Sequence, residues 1–225
     1  MSGMFSGLKH FSTIDVSHFS TRKVKYMSNM FAYSNYTSLD LRGFDFSVII
    51  STNSMFYADH QLTTIFWPQN INTPYLENTG LMFAECYVIL FIDLSNWDFS
   101  NVTTMTSMFH NCFHVTTVSL PSTSFGNQLT TIYDNLTGGL FENCHALQTL
   151  SNLSSLNTPF VTDFTSTFKN CLGLTYIDLS NFTIPIGSTT IDMLNLGTNN
   201  NRGHIIIDLP QYINTNLIVF ADNKN

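Results

Sequence analysis

The chain has 225 residues, 44% of them hydrophobic and only 10% charged, with a formal net charge of −7 and an isoelectric point near 5.3. The charged fraction is well under the roughly 25% of ordinary soluble domains, so the surface is polar but mostly uncharged. This balance argues against binding duplex nucleic acid, which needs a basic stripe to neutralise phosphates, and no apolar run reaches the roughly 18 residues of a membrane-spanning helix.

The N-terminus, MSGMFSGLKHF, lacks a basic region followed by an apolar core and so does not read as a secretory signal. It opens inside a repeat, and residues 1–225 are expected to be a fragment, or a chain whose first coil is covered by something else. One phenylalanine anchors each repeat: Phe5, Phe31, Phe56, Phe83, Phe109, Phe141 and Phe168, at intervals of 25–27 residues with one of 32. A fixed period of this size is the signature of a solenoid. A Met-Phe pair opens the first five, and apolar residues recur six, nine and eleven positions after the anchor, one residue earlier in the second coil as Tyr36, Leu39 and Leu41, and only Asn152 breaks the apolar pattern. The single basic cluster, Arg22, Lys23 and Lys25, falls between two repeats and reads as a solvated turn.

Each repeat holds two patterns. Around the anchor, Val102, Met105, Phe109 and Cys112 are spaced by three or four, which suits a helical turn or short helix packed on one face. The segment that follows, such as LTYIDLS, alternates and reads as a short strand. The expected fold is an α/β solenoid of seven to eight coils, with a parallel β-sheet on one face and short helical or irregular segments on the other. The repeat solenoid is placed at 1–188 and a C-terminal cap at 189–225, with the last strand near 204–209. The long interval places an insertion at 122–139, read as a bulged loop, and FWPQNINTP in the third repeat reads as an irregular turn.

Alternation turns Ile177 and Leu179 inward and Tyr176, Asp178 and Ser180 outward. Stacked coils then form outward columns on the sheet face. One runs Thr13, Ser38, Thr64, Phe91, Thr117, Thr149 and Tyr176; the next runs Asp15, Asp40, Phe66, Asp93, Ser119, Ser151 and Asp178. At about 4.8 Å per strand, the sheet would be on the order of 35 Å long. Its candidate binding residues are Thr64, Phe66, Phe91, Asp93, Thr117, Tyr176 and Asp178, aromatic groups among Ser, Thr and Asp. The acidic column could take a cation or a basic partner, although only Asp15 and Asp40 are in adjacent coils, and solvated surface carboxylates are the plainer reading.

Cys86, Cys112, Cys144 and Cys171 each stand three residues after an anchor. Their even number invites disulfides or zinc, but no two are close in sequence. A structural ladder, in which one small inward position is filled by a free thiol in each coil, is the favoured reading. Equivalent atoms of adjacent coils about 4.8 Å apart would still lie within disulfide reach. His110 and His114 flank Cys112 in HNCFH without a fourth ligand at zinc-like spacing. No phosphate loop, nucleophile elbow, HExxH motif or paired-carboxylate pattern occurs, so neither catalysis nor a cofactor or metal is expected.

The strings VTTMTSMFHNCFHVTTVSL, LMFAECYVILFIDLSNWDFSN and VTDFTSTFKNCLGLTYIDLSNF resemble the repeat of BspA-like leucine-rich-repeat surface proteins over about residues 4–185. The resemblance implies a right-handed solenoid, extracellular or at a cell surface, that binds or adheres to a protein or glycan on another cell or matrix. The alternative is a structural segment of a filament or coat, with copies of itself as partner.

Overall fold

The structure, a computed structural model, describes residues 1–122, 125, 128–197 and 205–209. Seven three-residue strands follow one another: β1 (Ser38–Asp40), β2 (Thr64–Phe66), β3 (Phe91–Asp93), β4 (Thr117–Ser119), β5 (Thr149–Ser151), β6 (Tyr176–Asp178) and β7 (Ile206–Asp208). Every pairing between them is parallel. The register joins equivalent positions of successive coils, as in Phe91 with Thr117 and Thr149. The molecule is therefore a parallel β-solenoid. Among the described residues its sole helical element is the 3-10 turn Leu153–Ser155, so the segments opposite the strands are irregular rather than helical.

The apolar spacing around each anchor, which fits a helix, is used instead by a pair of tight turns. In every coil but that of Phe141, the residue two before the anchor and the residue two after it both take a left-handed φ, as at Asn29 and Tyr33, Ser54 and Ala58, Leu81 and Glu85, or Ser107 and Asn111. A positive φ at the third position is the type II turn signature. In the coil of Phe83, Met82 N–H donates to Thr79 and Cys86 N–H to Phe83. Left-handed residues break a helix but bring apolar side chains to one side at the same three-to-four spacing. Gly3 and Gly7 fill these positions around Phe5 at no steric cost.

This doubly turned segment is a stacking unit. The N–H of every anchor donates to the carbonyl of the residue before the next anchor, from Phe5 to Met30 through Phe168 to Met193, at 2.8–3.0 Å. The anchor rings stack face to face from Phe5 to Phe168, with centroids 4.9–5.9 Å apart and interplanar angles of 2–20°. Met193 and Leu194 are buried, and Asp192 has φ 54°, so these two occupy the next anchor pair. The repeat thus runs past residue 188. Most of the expected cap, 198–204 and 210–225, lies outside the described residues; within it β7 pairs with β6.

Two features depart from a continuous sheet. The strands form three separate sheets, β1-β2, β3-β4-β5 and β6-β7. The first break follows Trp67-Pro68 and the second follows Asn152, whose φ is 62°; both are departures from the repeat's own sequence. Meanwhile, a second parallel line absent from the sequence reading links Tyr26, Ser51, Asn78, Thr104 and Thr131, one bridge per coil. It also redefines the insertion. Thr104 precedes its anchor by 109 − 104 = 5 residues and Thr131 by 141 − 131 = 10, so the extra length is five residues. It is taken up by the tight antiparallel turn Asp134–Gly138. Phe125, Leu129 and Ile132 are ordinary core. In the first coil Phe11, expected to point inward, is exposed.

The four cysteines are fully buried thiols, none of them in a disulfide. Each Sγ donates to the carbonyl of the anchor one coil earlier: Cys86 to Phe56 (3.2 Å), Cys112 to Phe83, Cys144 to Phe109 and Cys171 to Phe141 (each 3.1 Å). Beside them, Asn170 Nδ2 donates to Asn143 Oδ1 and Asn143 Nδ2 to Asn111 Oδ1, both 2.8 Å. The recurring Asn-Cys pair is thus a left-handed turn residue followed by an intercoil donor. Burial pushes the Cys112 thiol up to about 12 and the Cys86 and Cys144 thiols well up too; since the thiolate is the nucleophile, they are unreactive.

Two measurements test this packing. Phe109→Ala should cost about 3–5 kcal/mol in denaturant unfolding, because the hole lies between two stacked rings. A thiol reagent at neutral pH should label no cysteine in the native protein and all four in denaturant. Rapid native labelling would contradict the buried column.

Candidate binding face

Each strand offers two outward side chains, and the columns assemble in the expected register. Phe91 lies opposite Thr117, and Asp93 opposite Ser119. Thr64 and Phe66 lie opposite Ser38 and Asp40, and Tyr176 and Asp178 opposite Ile206 and Asp208. Phe91 is 67% exposed, and Phe66 and Tyr176 are 47% exposed each. Thr64 and Asp93 are exposed, while Thr117 and Asp178 are half-buried. The seven candidates therefore share one face but fall in three sheets: Thr64 and Phe66; Phe91, Asp93 and Thr117; and Tyr176 with Asp178.

The aspartates of this face have a local task. Asp15, Asp40, Asp93 and Asp178 each accept, through Oδ1, the N–H two residues on, at 2.9–3.1 Å. An Asx-turn of this kind lets a short side chain stand in for a turn of backbone. It explains why Asp-Leu-Ser recurs at the strand end, and it directs these carboxylates back on the chain rather than towards a common ion. Among the described residues no group of three or more His, Cys, Asp or Glu side chains is placed to hold a metal.

Two contacts on this face escaped the sequence reading. Arg42 grips Asp40 through Nε at 2.9 Å and a second nitrogen at 2.6 Å, and its guanidinium lies 5.5 Å from the centre of the Phe66 ring. The Arg42 hydrogen bonds hold the Asp40 carboxyl down to about 2. Tyr176 donates its hydroxyl to Asp208 at 2.6 Å, which pushes the phenol up to about 12. Arg42 follows its strand Asp by two residues, where Asp15, Asp93 and Asp178 are followed by Ser, and that departure was the available signal. Ile206, exposed and paired opposite Tyr176, extends the apolar part of the face.

A cleft of about 420 Å³ opens elsewhere, beneath the Asp134–Gly138 turn, and includes His110, Glu142, Lys169 and Asp192 in its lining. Ser107 Oγ donates to the Gly138 carbonyl at 2.6 Å and so ties the turn down. Lys169 Nζ lies 2.9 Å from Asp192 and 3.9 Å from Glu142, and burial lowers the His110 imidazole. The ammonium of this cleft is already paired, so the cleft offers hydrogen bonds rather than an open charge. His110 lies in it, whereas Cys112 is in the core and His114 is bonded through Nδ1 to the Tyr87 carbonyl at 2.7 Å; HNCFH is not one cluster.

No helix among the described residues is long and apolar enough to cross a membrane. No curated protein matches the sequence. Among solved structures, a leucine rich cell surface protein from Faecalibacterium prausnitzii is similar over 77% of this chain and 60% of its own, at 13% identity and a TM-score of 0.30. The chain therefore spans less than two thirds of that protein's length. Residues 1–67 and 39–136 match the family described as "Mycoplasma protein of unknown function, DUF285". These segments cover more than half of the sequence, and the chain belongs to that family.

Proposed function

We propose that the protein is a non-catalytic binding or adhesion module, extracellular or at a cell surface, that engages a protein or glycan through its strand face. The observation that carries this reading is Phe91. A phenylalanine 67% exposed, on a strand hydrogen-bonded to its neighbour and beside Thr117 and Asp93, forgoes burial for no gain within the chain. Exposed aromatic anchors among polar groups are a common composition of interfaces. Phe66 and Tyr176 add half-exposed rings in the two flanking sheets, each also in contact within the chain, Phe66 with Arg42 and Tyr176 with Asp208. The resemblance of the repeats to BspA-like surface proteins supports the same location.

The double substitution Phe91→Ala and Tyr176→Ala should reduce binding to glycan arrays or cultured cells at least about tenfold, equivalent to about 1.4 kcal/mol. The melting temperature should change little, since Phe91 projects outward and the Tyr176–Asp208 hydrogen bond that is lost is solvent-exposed. Retention of full binding by a folded double variant would move the site off this face.

A further inference from the structure

The third coil holds an aspartate in the cysteine column. Asp59 stands three residues after Phe56, as Cys86 does after Phe83 and Ser34 after Phe31. It is 0% exposed, and neither carboxyl oxygen has a hydrogen-bond partner. The other members of the column donate to the anchor carbonyl of the preceding coil. The four thiols do so as described, and Ser34 Oγ donates to Phe5 at 3.1 Å. The acceptor that this register assigns to Asp59 is the Phe31 carbonyl. Among the described residues it is an anchor carbonyl with no donor from backbone or side chain, whereas Phe56, Phe83, Phe109 and Phe141 each accept two.

One column position thus holds an acceptor without a donor opposite a carboxyl without a partner. A carboxylate only accepts, whereas a carboxylic acid also donates. We propose that Asp59 is held as the neutral acid, its hydroxyl donating to the Phe31 carbonyl as the thiols donate in later coils. Its ionisation then loosens the third coil as pH rises, giving the array a pH-responsive joint. The titratable groups that face it are the Tyr36 phenol of the preceding coil and the Cys86 thiol of the following one; each feels its charge and is raised, chiefly by burial. Burial likewise pushes the Asp59 carboxyl up to about 7, a rise softened by the N–H groups of Gln61 and Tyr36 without a hydrogen bond to either oxygen. A folded-state value above the unfolded one means full stabilisation below about pH 4, lost progressively as pH climbs to about 7. The lowered His110 and His145 imidazoles act in the opposite sense over the window below the ordinary histidine value.

The test is thermal unfolding of the full chain between about pH 4.5 and pH 8. The wild type should lose roughly 5–10 °C relative to Asp59→Asn over that range, because the amide of that variant can donate at every pH. Asp59→Cys, which restores the column residue, should flatten the profile in the same way. Identical pH slopes in wild type and variants would overturn the proposal. If the variants do not fold, the Asp59 carboxyl carbon can be followed by NMR in the wild type: a midpoint near 7 supports the neutral acid, and one near 4 refutes it.

Discussion

The stacking of one anchor segment on the next is the interaction on which the rest depends. Other lines of contact are interrupted: the strand ladder twice, and the second bridge line between Thr131 and Asp163. The anchor line runs through every coil, with a backbone hydrogen bond and a stacked ring at each step until Met193-Leu194 replaces the phenylalanine pair. Burying an aromatic ring gives a large apolar gain, and offset stacking adds about 0.5–1.5 kcal/mol per pair. Three-residue strands have little to hold them alone, and here their register follows from the column beside them.

The tight turns around the anchor have a conformational cost. Leu81, Glu85 and Tyr33 hold a left-handed backbone without the small or amide side chain that suits it. They persist because alternate N–H groups of the segment reach the next coil, as Leu81 to Thr106, Phe83 to Met108 and Glu85 to His110. Elsewhere Asn fills the position and adds an amide ladder along the stack. The paired departures from ordinary backbone are thus the means by which a segment without helix or strand still hydrogen-bonds its neighbour.

Much of this was legible in the sequence because a repeat averages out local ambiguity. The anchors, the inward columns and the strand register could be read from Phe83, Ile89, Ile92 and Leu94 alone, since the same offsets recur. The anchor segment was harder. Apolar residues three or four apart satisfy a helix and a pair of type II turns alike, and the distinguishing signal, Gly or Asn two before and two after the anchor, is diluted by Leu81, Glu85 and Ser107. The seven outward residues singled out on the strand face lay where alternation put them. Their division among three sheets did not show, because it depends on Trp67-Pro68 and Asn152, single departures whose effect on pairing is three-dimensional. The roles of Asp40, Asp93 and Asp178 were hidden for a related reason: a carboxylate that completes a turn looks the same in sequence as one awaiting a ligand.

The anchor segments also give the solenoid a direction. In the strands, N–H groups point alternately to the preceding and following coil, and their dipoles largely cancel. In the anchor segments they do not. Gly3, Phe5 and Gly7 all donate forward to Ser28, Met30 and Ala32, and the same three positions do so in the coils of Phe31, Phe56 and Phe83. Aligned peptide dipoles add, as they do along an α-helix. One flank of the array is therefore electrically polar along its axis, with amides facing the later coils and carbonyls facing the earlier ones. A coil can be added or removed within such a stack only in one orientation, so length can vary while the sense of the array is kept.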